Sequence, residues 1–355
     1  MKQLAGLFSA LVALVFVLFG LKSVIAQSSP SAGQDKVIIY NWGDYIDPEL
    51  IKEFEAEYGY QVVYETFDSN EAMITKIKQG GTNYDIAIPS EYKISEMIDS
   101  DLLVPLDYNK IEGFDHIDDR FKNLSFDPGN TYSIPYFWGT LGMIYNDKMV
   151  DGDKLTKWDD LWRPEYKDSI LLIDGARETL GIGLQRNHYS LNETKSSVLS
   201  QVTGQLEQLM PNVKAVIADE IKMYMVQEEA AIAVTFSGEA AEMMDQNEHL
   251  HYVIPEEGSN LWFDNMVIPK TAKNVDGAYD FMSFMLRPDV ATRNAEYVGY
   301  ATPNADAKKL LPEEITSQTE FYPDDELLKR LEVYDNIGVD KTGEYNDLFL
   351  EIKMY

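Results

Sequence analysis

The stretch Lys36–Gly59, "KVIIYNWGDYIDPELIKEFEAEYG", joins a strand to a helix and decides the architecture. "KVIIYNW" is a short β-branched and aromatic run, the pattern of a buried strand. Asp47 stands where a helix cap is needed and Pro48 at the first helical position. Leu50, Ile51 and Phe54 form an inner stripe, and Gly59 supplies the stop. The same alternation continues downstream. "YQVVYETF" is a strand, "SNEAMITKIKQGG" a helix, and "YDIAIPS" a third strand that enters the helical "EYKISEMIDSDLL". Strands alternating with helices in this way predict an α/β fold with a parallel sheet.

A second series follows "YSIPYFWGTLGMIYN": "SILLIDG", "RETLGIGLQR", "EIKMYMVQEE", "AAIAVTF" and "GEAAEMMDQN". Two α/β lobes are therefore expected. The strand-like "LWFDNMVIP" leads into a helical pattern interrupted at Pro288 and then an acidic, helical tail. No solenoid period is visible. "FWGTLGMIYN" and the return segment near Phe263 are the hinge candidates.

Open α/β sheets bind ligands beyond the carboxyl ends of their strands. The residues there are aromatic or anionic: Trp42 and Tyr45, then Ser90 and Tyr92, then Asp174, Gly175 and Glu178, then Phe236. In "SNLWFDNMVIP", Trp262 and Asp264 are two apart and share one strand face. Ring faces attract ammonium groups and cover methylenes. A carboxylate accepts charge-assisted N–H bonds. Together they suit an amine that is both cationic and oily, with an ammonium as the partner of Asp264.

Composition agrees with that chemistry. The chain has 355 residues, 45% hydrophobic and 12% aromatic, enough for two cores. Its 60 acidic residues against 30 basic ones give a net charge of -30, which disfavours nucleic acid and favours cations. Residues 4–21, "LAGLFSALVALVFVLFGL", carry no charge and follow Lys2, so the chain is expected to be exported. Val24 and Ala26 fit a signal-peptidase site, yet the run is long enough to remain as a membrane anchor, and membrane association is expected. Residues 1–26 form this segment and 27–35 a linker. With no cysteine there is neither a disulfide nor a lipid-modified cysteine.

The segments "YNWGDYIDPE", "YDIAIPS", "YSIPYFWGT", "WDDLWRPEYK", "DGARE", "LWFDNMVIP" and "GYATPN" occur in that order. Over residues 36–355 the chain closely resembles the spermidine/putrescine-binding proteins of polyamine ABC transporters. The resemblance implies a two-lobed, type II periplasmic-binding-protein fold with a central ligand cleft and a two-strand hinge. Residues 36–140 and 263–310 would form the first lobe, and 141–262 and 311–355 the second. It further implies a polyamine ligand and an ATP-driven membrane permease as partner. The protein is expected to be a monomer without catalysis, cofactor or metal. Carried over position by position, Trp42, Tyr45, Ser90, Tyr92, Glu178, Trp262, Asp264 and Tyr300 fall at ligand-contacting positions. Phe236 stands where the family has Trp, Tyr334 where it has Gln, and Gly175 where it has Asp, so one anionic partner is missing.

Other readings compete. "SEYK" (Ser90 to Lys93), "SLN" (Ser190 to Asn192) and "KTG" (Lys341 to Gly343) follow the order of penicillin-recognising serine enzymes. That chemistry needs Ser at the start of a buried helix, Lys one turn on, and "KTG" on a strand, whereas "KTG" reads as a turn before a helix. His249 and His251 in "HLH" share a strand face with metal-like spacing, but the other histidines, His116 and His188, lie far off in sequence. A binding protein for another cation is the remaining alternative. "DYNKIEG" lacks the ligand and glycine of a calcium loop. The chain has 22 Tyr, none adjacent, so the paired tyrosines of ferric-ion binders are missing.

Overall fold

A computed structural model describes residues 36–218 and 220–355. The expected export segment, 1–26, and the linker, 27–35, lie outside the described residues. β1 (Lys36–Trp42) pairs in parallel with β2 (Gln61–Phe67), Lys36 opposite Gln61 through Trp42 opposite Phe67. On its other side lies β3 (Ile86–Ala87), also parallel. The Asp47 carboxylate accepts the Glu49 N–H at the start of α1 (Pro48–Tyr58), and Gly59 ends the helix at φ 76°. That left-handed conformation suits a residue without a Cβ. α1 buries Leu50 and Phe54, the latter edge-on to Phe281 at 5.2 Å. α2 (Asn70–Gln79) and α3 (Glu91–Asp99) complete the first series. β3 is far shorter than the run "YDIAIPS", and beside it the Asp85 side chain accepts the N–H groups of Ile38, Lys273 and Asn274.

The 14-residue β4 (Ser133–Asn146) serves both halves of the molecule. Its first half runs antiparallel to β9 (Ser259–Val267), from Ser133 opposite Val267 to Thr140 opposite Leu261. The register slips between Pro135 and Phe137, where proline has no N–H to donate. Its second half runs antiparallel to β7 (Ile232–Phe236) on one side and to β8 (Leu250–Val253) on the other. β5 (Ile170–Ile173) lies parallel between β7 and β6 (Val213–Ile217). Among the described residues the strand order is β2-β1-β3-β9-β4-β7-β5-β6, with β10 (Leu331–Glu332) beside β9 and β8 beside β4.

The sheet is therefore mixed, not parallel throughout as the alternation predicted. It is parallel within each βα series. β4 carries the chain out of the first series, β9 brings it back, and neighbouring outbound and return strands run in opposite directions.

α4 (Ala176–Arg186), α5 (Ser196–Leu209), α6 (Glu220–Val226) and α7 (Ser237–Gln246) belong to the second series. α8 (Val275–Leu286) and α9 (Pro288–Val298) pack on the first, divided at Pro288 as the sequence predicts. Three short helices, α10 (Ala305–Lys308), α11 (Glu313–Thr316) and α12 (Asp325–Leu328), precede the C-terminal α13 (Val339–Lys353). One core gathers Ile39, Phe54, Phe137, Phe263, Phe281 and Phe284. A second gathers Met143, Trp158, Leu172, Leu206, Ile232 and Tyr345, and a third Ile144, Leu171, Ala233 and Tyr252. Along β4, Trp138 belongs to the first core and Leu141 to the second. Met143 and Ile144 enter different cores because adjacent strand residues face opposite sides of the sheet. Leu311 and Tyr322 are buried in the first core, whereas Tyr345, Phe349 and Ile352 are buried in the second.

Candidate functional site

A cleft of about 540 Å³ lies between the two series where β1, β7 and β9 end or cross. All ten residues singled out in the sequence line it: Trp42, Tyr45, Ser90, Tyr92, Glu178, Phe236, Trp262, Asp264, Tyr300 and Tyr334. Trp262 and Asp264 share the cleft-facing side of β9 with Asn260, as their spacing predicts.

Asp264 is buried, and both its oxygens are engaged within the protein. The Tyr45 hydroxyl donates to Oδ2 at 2.7 Å and the Ser90 hydroxyl to Oδ1 at 2.6 Å. Ser90 precedes α3 as its N-cap, yet its hydroxyl serves Asp264 rather than the helix. Asn70 steadies it, donating to Ser90 Oγ at 3.0 Å and to the Tyr92 hydroxyl at 3.1 Å. Burial pushes the Asp264 carboxyl up to about 6, and the two hydroxyl donors oppose that rise. Asp264 is thus largely ionised at neutral pH, although buried.

Around it the aromatic rings meet edge to face. Tyr45 and Tyr300 are 5.5 Å apart, Tyr300 and Trp262 5.1 Å, Trp262 and Phe236 6.1 Å. These rings are inclined to one another at 68 to 86°. Two glycines allow it. A Cβ on Gly139 would lie 2.5 Å from the Trp262 ring, and one on Gly238 would lie 2.1 Å from the Tyr300 ring.

Glu178 stands at the other end of the cleft, in the first turn of α4. Its carboxylate folds back over the helix's N-cap residue, Gly175, where a Cβ would lie 2.2 Å from Oε2. Burial raises its pKa, while its own backbone N–H and the Arg177 charge oppose the rise. Tyr334 closes this end, edge-on to Tyr92 at 6.3 Å and backed by the Arg177 guanidinium 4.2 Å from its ring centre. Asp174 also lines the cleft, but its carboxylate is paired with Lys353 at 2.8 Å.

Sequence reasoning passed over several lining residues. Asp68, Glu71, Glu91, Glu239 and Glu242 add carboxylates, against a single lysine, Lys222, among the described lining residues. Glu71 begins a helix and Glu91 follows Ser90 directly, so proximity to strand ends was the available signal. The wall is strongly anionic and aromatic, a surface for an organic cation.

The serine-enzyme pattern does not assemble. The Ser90 hydroxyl is bonded to Asp264, and the Lys93 amine is held by Glu96 at 2.8 Å and Glu71 at 3.2 Å. Ser190 bonds to Glu332. Lys341 to Gly343 lie inside α13, neither on a strand nor in the turn expected from the sequence. His249 and His251 each contact the Asp147 carboxylate at 3.0 Å. Among the described residues no group of three or more potential ligands could hold a metal ion.

Residues 49–323 match the family model of bacterial extracellular solute-binding proteins. The chain is 36% identical over 325 residues to the spermidine/putrescine-binding periplasmic protein of Salmonella typhimurium, covering 91% of this chain and 93% of that one. Among solved structures it is similar to the spermidine/putrescine ABC transporter substrate-binding protein PotD of Streptococcus pneumoniae. The identity there is 62% and the TM-score 0.83, over 90% of this chain and 99% of the other. A spermidine/putrescine ABC transporter protein, described as putative, from Listeria monocytogenes gives 60% identity and a TM-score of 0.86 over 90% and 99%. With its α/β halves joined by β4 and β9 around an anionic, aromatic cleft, the chain belongs to the bacterial extracellular solute-binding proteins.

Proposed function

We propose that this protein is a non-catalytic extracytoplasmic receptor that captures a polyamine, spermidine or putrescine, and presents it to the permease of an ABC transporter. One observation carries the reading. Asp264, buried and held by two hydroxyls, sits among the edge-to-face rings of Tyr45, Tyr300 and Trp262. In this reading an ammonium group binds Asp264, the methylene chain lies between Trp42, Tyr92, Phe236, Trp262, Tyr300 and Tyr334, and Glu178 takes a second ammonium. Ser90 and Tyr45 hold Asp264 in place. The polyamine names of the relatives support the choice among cations.

In the same proposal residues 36–140 and 263–310 form one lobe, and 141–262 with 311–355 the other, although Leu311 and Tyr322 lean on the first core. β4 and β9 act as the hinge, and closure strips water from the ligand. The receptor works as a monomer, and residues 4–21 hold it at the membrane. Calorimetry of the purified protein should give a dissociation constant at or below the micromolar range for spermidine or putrescine, about −8 kcal/mol or stronger. No binding heat with either amine, together with acylation of Ser90 by a labelled penicillin, would turn the assignment to the serine-enzyme class.

A further inference from the structure

Glu91 is an acid of the cleft wall to which the reading above gives no task. It is the first residue of α3 and is fully buried. Its Oε2 accepts the backbone N–H of Phe263 in β9 at 2.9 Å. Its Oε1 has no hydrogen-bond partner among the described residues, although the residue lines the cleft. A surface carboxylate in the first turn of a helix needs no special account. A buried one with half its acceptors unused does.

The charged and titratable groups facing it are few. Asp264 acts on it from β9 and Arg177 from α4, while Tyr92 of α3 and Tyr334 feel its charge. Arg177 forms no ion pair with it. The guanidinium donates to Asn192 Oδ1 and to the carbonyls of Leu191 and Asp335. Lys93, two residues along α3, is committed to Glu71 and Glu96. A buried carboxyl whose charge is eased by two backbone N–H groups, those of Phe263 and of Glu91 itself, with no ion pair and an acidic neighbour, favours its neutral form. Burial accordingly pushes Glu91 up to about 8.

We propose that Glu91 is a proton-exchanging acid of the cleft, which carries a proton until a polycation enters and gives it up as the polycation settles against Asp264. The inference rests on the cationic-ligand reading. A positive charge placed beside this buried carboxyl favours its ionised form by on the order of tenfold or more. Capture then expels a proton to solvent, and Glu91 joins Asp264 and Glu178 in opposing the ligand's charge. The proton moves from the Glu91 carboxyl to buffer, and no covalent bond to the ligand forms.

The test is calorimetry of the full chain with spermidine at pH 7, in phosphate and in Tris, whose ionisation heats differ. The heats should differ in the sense of proton release, by roughly half to one proton per ligand. Affinity should rise with pH from 6 to 8, by up to about tenfold per pH unit for each proton released. Glu91→Gln retains the shape and the acceptor for Phe263, and should bind with a buffer dependence reduced to the small share that Asp264 releases. Asp264, at about 6, releases only on the order of a tenth of a proton at pH 7 and cannot produce the effect alone. Equal heats in both buffers for the unaltered protein would overturn the inference, as would undiminished release by Glu91→Gln. Binding without proton release removes only this inference, whereas no binding heat removes the polyamine reading as well.

Discussion

Asp264 shows how a single buried carboxylate can cost stability. Its carboxyl is raised from 3.8 to about 6 by burial. A raised folded-state pKa means that the unfolded chain loses the proton first. Stability therefore declines as pH rises from about 4 to 6, and the full penalty is present above that window. Asp264→Asn removes the charge and keeps the shape. The ligand-free variant should be more stable at pH 7, by on the order of 1 to 3 kcal/mol, read as a higher Tm. Its polyamine affinity should fall tens-fold to thousands-fold, the usual consequence of truncating a buried charge pair at ~2 to 5 kcal/mol. Unchanged affinity would make Asp264 a structural carboxylate. The pairing of Trp262 with Asp264 was legible because it needs only the two-residue period of a strand. The bonds from Tyr45 and Ser90 to Asp264 were not legible, although both residues line the cleft as expected ligand contacts. Glu91 was illegible for a related reason: in sequence it is an ordinary first-turn acid, and in the fold it is buried and bonded to the Phe263 N–H of β9.

Helix ends carried the clearest local signals. Asp47, Pro48 and Gly59 bound α1 where the sequence placed them, and Ser69 and Gly80 bound α2, because capping is settled within a few residues. α5 was passed over, although Leu199, Val202, Leu206 and Leu209 mark its buried side. Its serines, threonine and Gly204 dilute the helical propensity. The start of α4 holds the informative departure from the family pattern, Gly175. In the fold that glycine leaves room for the Glu178 carboxylate. Gly175→Asp must swing Glu178 aside, and the new acid gains the N–H groups of a helix end that has no side-chain cap. Stability should change by only a few tenths of a kcal/mol. The added anion should strengthen spermidine binding more than putrescine binding, by up to about tenfold if water is excluded. The ratio of the two dissociation constants at one salt concentration reports the effect. An unchanged ratio would show that this end of the cleft does not meet the ligand.

At the scale of the whole molecule, two α/β halves share the strands β4 and β9, and the cleft lies where those strands change partners. Part of the acidic excess of the chain lines that wall, in Asp68, Glu71, Glu91, Glu178 and Asp264 among others. The proposed attachment to the membrane rests on residues 4–21, which lie outside the described residues. The uncharged run 4–21 holds 18 residues, about the number a membrane-spanning segment requires. Cell fractionation should find the native protein with the membrane, and a soluble form beginning at Gln27 by N-terminal sequencing would show cleavage after Ala26 instead. The sequence by itself determined the alternation of strands and helices, the caps, the shared face of Trp262 and Asp264, and the aromatic and anionic character of the strand ends. Those features follow from periods of 2 and 3.6 residues and from hydrogen bonds within one turn. Only the tertiary structure decided the antiparallel centre of the sheet, the hydroxyl clamp on Asp264 and the burial of Glu91. Tyr45, Ser90 and Glu91 reach their partners in β9 across 219, 174 and 172 residues. Such contacts depend on how whole elements pack, and no local pattern of the chain encodes that distance.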